Sequence, residues 1–178
     1  ILVHGHPKED WLLQKVQKRL KEELDNLEVE MNMEKTKVVD LKKGGSFSFL
    51  GFDICLNRNW KGKTYVSKTP RKKKCIEIGK RVRAVLKANW NKPLKEVIQA
   101  VNAVIRGWVN YFRIGNSNST FCKVSNYTEK KVRRFVMKRK KRKGFGWKRW
   151  SREVIYQEWG LYNDYRIQYL HPKAAPCR

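Results

Sequence analysis

Apolar residues recur at helical steps in several stretches of the chain and alternate with polar ones in another. From Glu9 onward Trp11, Leu12, Val16, Leu20, Leu24 and Leu27 keep helical spacing, while Lys15, Lys18, Arg19, Lys21, Glu22 and Glu23 fill the other side. This spacing predicts an amphipathic helix to about Leu27. The period then changes. Residues 28–33 alternate polar and apolar, the pattern of a half-buried strand, and residues 36–41 continue extended with Thr36, Val38 and Val39. After a turn at Gly44-Gly45, residues 47–54 read as one strand with an internal glycine, and a short strand is expected at residues 64–67. At the start, residues 1–3 read as the tail of a buried strand turning at Gly5-His6-Pro7.

Beyond Pro70 the texture is helical. Cys75, Ile78, Val82, Val85 and Leu86 make one stripe, surrounded by Arg71, Lys72, Lys73, Lys74, Lys80, Arg81, Arg83 and Lys87. Asn91-Lys92-Pro93 ends this helix, and Pro suits the first turn of the next. There Leu94, Val97, Ile98, Val101, Val104, Ile105, Trp108 and Phe112 share a face, opposite Lys95, Gln99, Asn102, Arg106, Asn110 and Arg113. Gly107 interrupts at a cost of about 1 kcal/mol against Ala, which close packing of another element would explain. Residues 115–120 form a loop with capping side chains, and a third helix turns Phe121, Val124, Tyr127, Val132, Phe135 and Val136 inward. Ser151 is placed to cap a short helix through Trp159, before an aromatic, irregular tail. The fold class is α+β: antiparallel strands with one helix over residues 1–67, then a mainly α-helical bundle over residues 68–178.

Charge sharpens this division. Residues 1–60 hold ten Lys/Arg and ten Asp/Glu, whereas residues 61–178 hold 32 and six, so the whole net charge of +26 lies in the second part. Like charges at this density repel one another unless an external anion intervenes. Phosphate is the natural anion, which points to nucleic acid. Acidic lipid fits less well, because each basic helix has an inward stripe suited to a protein core. No apolar run approaches the roughly 18 residues that span a bilayer, and no signal peptide is visible.

The six consecutive cations Lys138, Arg139, Lys140, Lys141, Arg142 and Lys143 lead into Gly144-Phe145-Gly146-Trp147-Lys148-Arg149-Trp150. Trp147 and Trp150, beside Lys148 and Arg149, either stack on unpaired bases or pack against the bundle. Trp108 and Phe112 belong to the core by their spacing. The four cysteines lack metal-ligand spacing and suit reduced thiols of a cytosolic protein. His4, His6 and His171 have no paired nucleophile, and Asp40, Asp53 and Asp164 stand isolated. The residues alone fit either a nucleic-acid-binding part of something longer or a stand-alone basic RNA- or DNA-binding module.

The ordered motifs resemble a known family. Val29-Glu-Met31-Asn-Met33-Glu34-Lys35-Thr36-Lys37 followed by Phe49-Leu50-Gly51-Phe52 resembles the last palm strands of a reverse transcriptase. The central helix ending Arg106-Gly-Trp-Val-Asn-Tyr-Phe-Arg113, with the basic run before Gly-Trp-Lys-Arg-Trp, resembles the thumb or maturase-specific domain of group II intron-encoded proteins. The resemblance implies a palm portion at residues 1–67 and a thumb at 68–178. It implies binding of group II intron RNA and of a template-primer duplex, alongside the remaining palm and fingers. Phe49, Leu50, Gly51 and Phe52 would form the primer grip, and Lys35 would be a cation near the incoming nucleotide. RNA would meet Arg71, Lys72, Lys73, Lys74, Arg106, Arg113, residues 138–143, Trp147, Lys148 and Arg149. In that family the catalytic aspartates precede the segment matching residues 1–3. The chain, opening on Ile, is thus expected to be part of a longer reverse transcriptase whose Mg2+-dependent polymerisation it does not perform alone.

Overall fold

A computed structural model describes residues 10–32, 34 and 36–168. The expected strand at residues 1–3, Lys35, Cys177 and His171 lie outside the described residues. The chain divides into two compact units, one up to Val39 and one from Asp40 onward.

In the first unit the amphipathic pattern forms α1 (Asp10–Asn26), with Leu12, Val16, Leu20 and Leu24 half-buried on its apolar face. Glu28 ends it in the left-handed conformation at φ 54°. The Glu28 amide donates to the Asp25 carbonyl and the Val29 amide to the Leu24 carbonyl, at 3.1 and 3.0 Å. This six-to-one and five-to-two pair closes the free carbonyls of the last turn, a role usually taken by glycine. The strand expected from alternation at residues 28–33 and its extended continuation at residues 36–41 are not realised: the described residues there form no strand. Alternation suits a pleated surface but supplies no partner for the backbone ladder. Local bonds take its place, as the Thr36 amide and hydroxyl both donate to the Asn32 carbonyl, at 3.0 and 2.8 Å.

The second unit opens with Asp40 accepting the Lys42 and Lys43 amides. The single strand expected at residues 47–54 is instead two, β1 (Ser46–Phe49) and β2 (Phe52–Arg58), joined by Leu50-Gly51. Both loop residues have positive φ, 46° and 80°, which matches the twist of a two-residue hairpin. The glycine expected inside a strand thus reverses it. β3 (Thr64–Pro70) completes an antiparallel sheet in the order β1-β2-β3, with Phe49 opposite Phe52 and Phe52 opposite Pro70.

Three helices follow, α2 (Lys72–Ala88), α3 (Leu94–Phe112) and α4 (Asn118–Arg139). The predicted stripes are the core: Ile78, Val82 and Leu86 from α2; Val97, Ile98, Val101, Ile105 and Phe112 from α3; Phe121, Val124, Val132, Phe135 and Val136 from α4. Val109 joins them, fully buried. The sheet is fixed to this bundle at several points. Phe52 packs edge-on against Phe112 at 4.9 Å, the Asn116 amide donates to the Lys68 carbonyl, and Asn116 Oδ1 accepts the Lys68 amide at 3.0 Å. Gly115 lies at this junction, where a Cβ would stand 2.6 Å from the Lys68 carbonyl and 2.7 Å from Phe52. The expected short helix appears as a π turn, Val154–Glu158, whose first amide bonds the Ser151 hydroxyl. The tail beyond it is irregular yet docked, with Leu161 buried and Tyr162, Tyr165 and Ile167 against the core.

Candidate nucleic-acid interface

At the start of α2, Arg71 pairs with Asp53 at 3.4 Å and Lys74 with Glu77 at 3.0 Å. The Lys74 hydrogen bond holds the Glu77 carboxyl below its ordinary value. Lys72 and Lys73 are exposed and have no carboxylate partner among the described residues. The first turn of α2 has no acidic residue, so its cations sit at the positive end of the helix dipole, where they are unfavourable without an anion. Cys75 lies behind them. Burial raises its thiol above the ordinary value, and it donates to the Arg71 carbonyl.

The hairpin tip meets the central helix. Tyr111 donates from its hydroxyl to the Leu50 carbonyl at 2.8 Å, and the Arg71 amide bonds the Gly51 carbonyl at 2.9 Å. Phe49 and Leu50 are exposed and Phe52 is buried, so the four residues of the expected primer grip split between surface and core. Beside the tip runs a groove of about 560 Å³ between α2 and α3, lined by Leu50, Gly51, Lys74, Arg81, Gly107, Trp108 and Tyr111 among others. A Cβ on Gly107 would meet nothing within 4 Å. The close packing expected there is absent; the glycine lines open space. Trp108 packs on Phe112 and Phe121, at 4.8 and 5.8 Å, as its spacing predicted.

The polar face of α3 divides. Arg106 is exposed and lies 5.9 Å from the Tyr162 ring. Arg113, expected at the RNA surface, is 8% exposed and turned inward. It donates to Asn110 Oδ1, the Tyr162 hydroxyl, and the carbonyl and carboxylate of Asp164. Asp164 is thus no isolated acid, and neither is Asp53. The irregular tail supplies what the sequence pattern could not reveal, a partner 51 residues away.

The six-cation run wraps a helix end. Lys138 and Arg139 close α4, Lys140 caps it, and Lys141 turns left-handed at φ 51°. The Lys141 amide bonds the Lys138 carbonyl and the Arg142 amide the Met137 carbonyl, both at 2.9 Å. Arg139 donates to the Lys92 carbonyl at 2.8 Å. Cations here also complement the negative end of the helix dipole. Residues 138–143 are all exposed.

The aromatic loop beyond the run lies against cations of α4. Phe145 has Lys130 and Arg134 over its ring at 4.7 and 5.2 Å, Trp147 has Arg133 at 4.3 Å, and Trp150 has Lys140 at 4.8 Å. The two tryptophans separate: Trp150 packs against the core and Trp159, while Trp147 is half exposed. Lys148 and Arg149 are exposed beside it.

Beneath the loop is a pair that pattern reading missed. Arg133 and Glu129, 1% and 0% exposed, form a buried ion pair, and Arg133 also donates to the Trp150 carbonyl. Arg152 approaches Glu129 at 3.4 Å, as does the Tyr156 hydroxyl, which burial raises above its ordinary value. A signal existed: Glu129 is the one acid between residues 97 and 152, it has Arg four residues on, and it shares the inward steps of Val132 and Val136.

Among the described residues no three His, Cys, Asp or Glu side chains converge, so they offer no cage for the Mg2+ expected of a polymerase. No described helix is long and apolar enough to cross a membrane. No curated protein matches the chain. Residues 77–154, from within α2 to the start of the π turn, match the family model of the group II intron, maturase-specific domain. The matched stretch contains most of the basic helices, the Glu129–Arg133 pair and the aromatic loop, and it supports reading the chain as a fragment of a group II intron maturase.

Proposed function

We propose that the helical unit holds group II intron RNA, and that it does so as the thumb of a reverse transcriptase/maturase which also holds a template-primer duplex. The observation that carries this is the match at residues 77–154 falling on helices whose outward cations greatly outnumber their carboxylates. A domain of an intron family that repels itself through unpaired positive charge is suited to a partner made of phosphate. Arg71, Lys72 and Lys73 at the start of α2, Arg106 on α3, and Lys138 to Lys143 with Lys148 and Arg149 supply phosphate contacts. Trp147 offers a half-exposed ring for an unpaired base. Arg113 holds the tail and is removed from this set.

In the same reading the exposed tip Phe49-Leu50 and the backbone turn at Gly51 steer a primer end, and residues 1–67 are palm. Phosphoryl transfer would draw on carboxylates and Mg2+ that the described residues do not provide. The unit therefore contributes grip and orientation.

The test is salt-dependent binding of the whole chain to a transcribed group II intron RNA, against an unrelated structured RNA of equal length. Tighter binding to the intron RNA, with a steep fall of log affinity against log salt, is expected. Replacing residues 138–143 by Gln should weaken binding and flatten that slope. Equal affinity for both RNAs would reduce the unit to a general basic module, and an unchanged slope would leave the run as solvated surface.

A further inference from the structure

The charge on the seam between α2 and α4 is not explained by the residues already assigned. Short connections at residues 89–93 and 113–117 make α2, α3 and α4 run up, down and up, so α2 and α4 point the same way. They pack closely where Gly79 faces Tyr127; a Cβ there would stand 3.2 Å from the ring. One turn further along each helix are Arg83 and Lys131. Helical periodicity then continues the line along α4 through Arg134 to Lys138.

None of these four side chains has a carboxylate partner among the described residues. Lys131 lies with its ammonium 5.1 Å from the Tyr127 ring, and Arg134 with its guanidinium 5.2 Å from Phe145, so two of the cations are seated on aromatic surfaces. Burial lowers the Lys131 ammonium below its ordinary value, and Arg83, Arg134, Lys130 and Lys138 lower it further by repulsion. A fold does not gain from such a line by itself. Steps of three and four residues along α4 are roughly 5 Å each, a spacing that meets neighbouring phosphates of one strand more readily than a single anion.

We propose that Arg83, Lys131 and Arg134 form a track for an RNA phosphate backbone along the α2–α4 seam, joining the basic helix end at Lys138. This rests on the RNA-binding reading above and adds to it a surface with a defined direction. The track is the part of the interface built by packing of two helices, whereas the run at residues 138–143 lies at one helix end.

The experiment uses the whole chain and a transcribed group II intron RNA. Arg83→Gln, Lys131→Gln and Arg134→Gln are combined, and Lys15→Gln, Lys18→Gln and Lys21→Gln on α1 serve as a matched loss of charge. The seam variant should shallow the slope of log affinity against log salt by about 2, from three lost contacts at about 0.7 each. The α1 variant should leave the slope near that of the parent. Thermal melting without RNA checks that the seam variant is folded; Lys131→Gln alone, losing about 0.7 of slope, serves if the triple variant is not. A seam variant with the parental slope, or an α1 variant with the same loss, overturns the track. Absence of salt-dependent RNA binding by the parent overturns the functional reading beneath it.

Discussion

Glu129 and Arg133 form an ion pair one helical turn apart with both side chains almost wholly enclosed, and Arg133 spans from that pair to the Trp147 ring and the Trp150 carbonyl. The pair joins the interior of α4 to the loop that carries the exposed tryptophan. Removing one member leaves the other charge buried. Glu129→Ala is therefore expected to cost about 3–5 kcal/mol in urea unfolding, whereas the double replacement Glu129→Leu with Arg133→Met should lie close to the parent. A single replacement within 1 kcal/mol of the parent, on the order of a surface pair, would contradict the assignment.

Gly107 faces open space in the middle of α3. Gly107→Ala should raise stability by about 1 kcal/mol through helix propensity alone. Thermal melting checks this. A lower midpoint would mean that the site is more crowded than its neighbours show.

Gly115 is the opposite case. A methyl group there would collide with the Lys68 carbonyl and the Phe52 ring, and backbone cannot step aside as a flexible side chain does. Gly115→Ala should cost about 1–3 kcal/mol by overpacking the junction of sheet and bundle. Equilibrium unfolding with an unchanged midpoint would refute the close approach.

Tyr165 brings the tail under pH control. Burial raises its hydroxyl well above the ordinary value of 10.0, so the folded chain keeps a proton that the unfolded chain loses. The stability this represents is complete below about pH 10 and is lost as pH rises further toward the folded value. Circular dichroism between pH 9 and 12 should show an alkaline transition that Tyr165→Phe moves upward. A transition at the same pH in the variant would place its cause elsewhere.

The helices were legible because burial imposes a period that survives in sequence: Ile78, Val82, Val101, Ile105, Phe121 and Val132 are core residues at the positions their spacing indicated. Strands were less so. Alternation at residues 28–33 describes a surface that would suit a sheet, but pairing needs a neighbour, and Glu28 is spent on ending a helix. At residues 47–54 the same apolar texture concealed a reversal, since only the positive φ of Leu50 and Gly51 distinguishes a hairpin from a strand with a glycine. The charged site was legible as composition and less so as geometry. The pattern placed Arg106 and Arg113 on one polar face, yet only Arg106 is exposed, because Asp164 and Tyr162 return from the tail to enclose Arg113. Long-range polar partners of this kind have no periodicity to betray them.

The left-handed turn at Lys141 gives the basic run a limited valence. On a continuing helix the six residues would keep climbing one axis, at about 1.5 Å each. Here the chain doubles back after Lys140, and Arg139 is tethered to the Lys92 carbonyl. The run is therefore split between the end of α4, at residues 138–140, and the loop that follows it, and a polyanion lying along the axis of α4 meets only the first half in line.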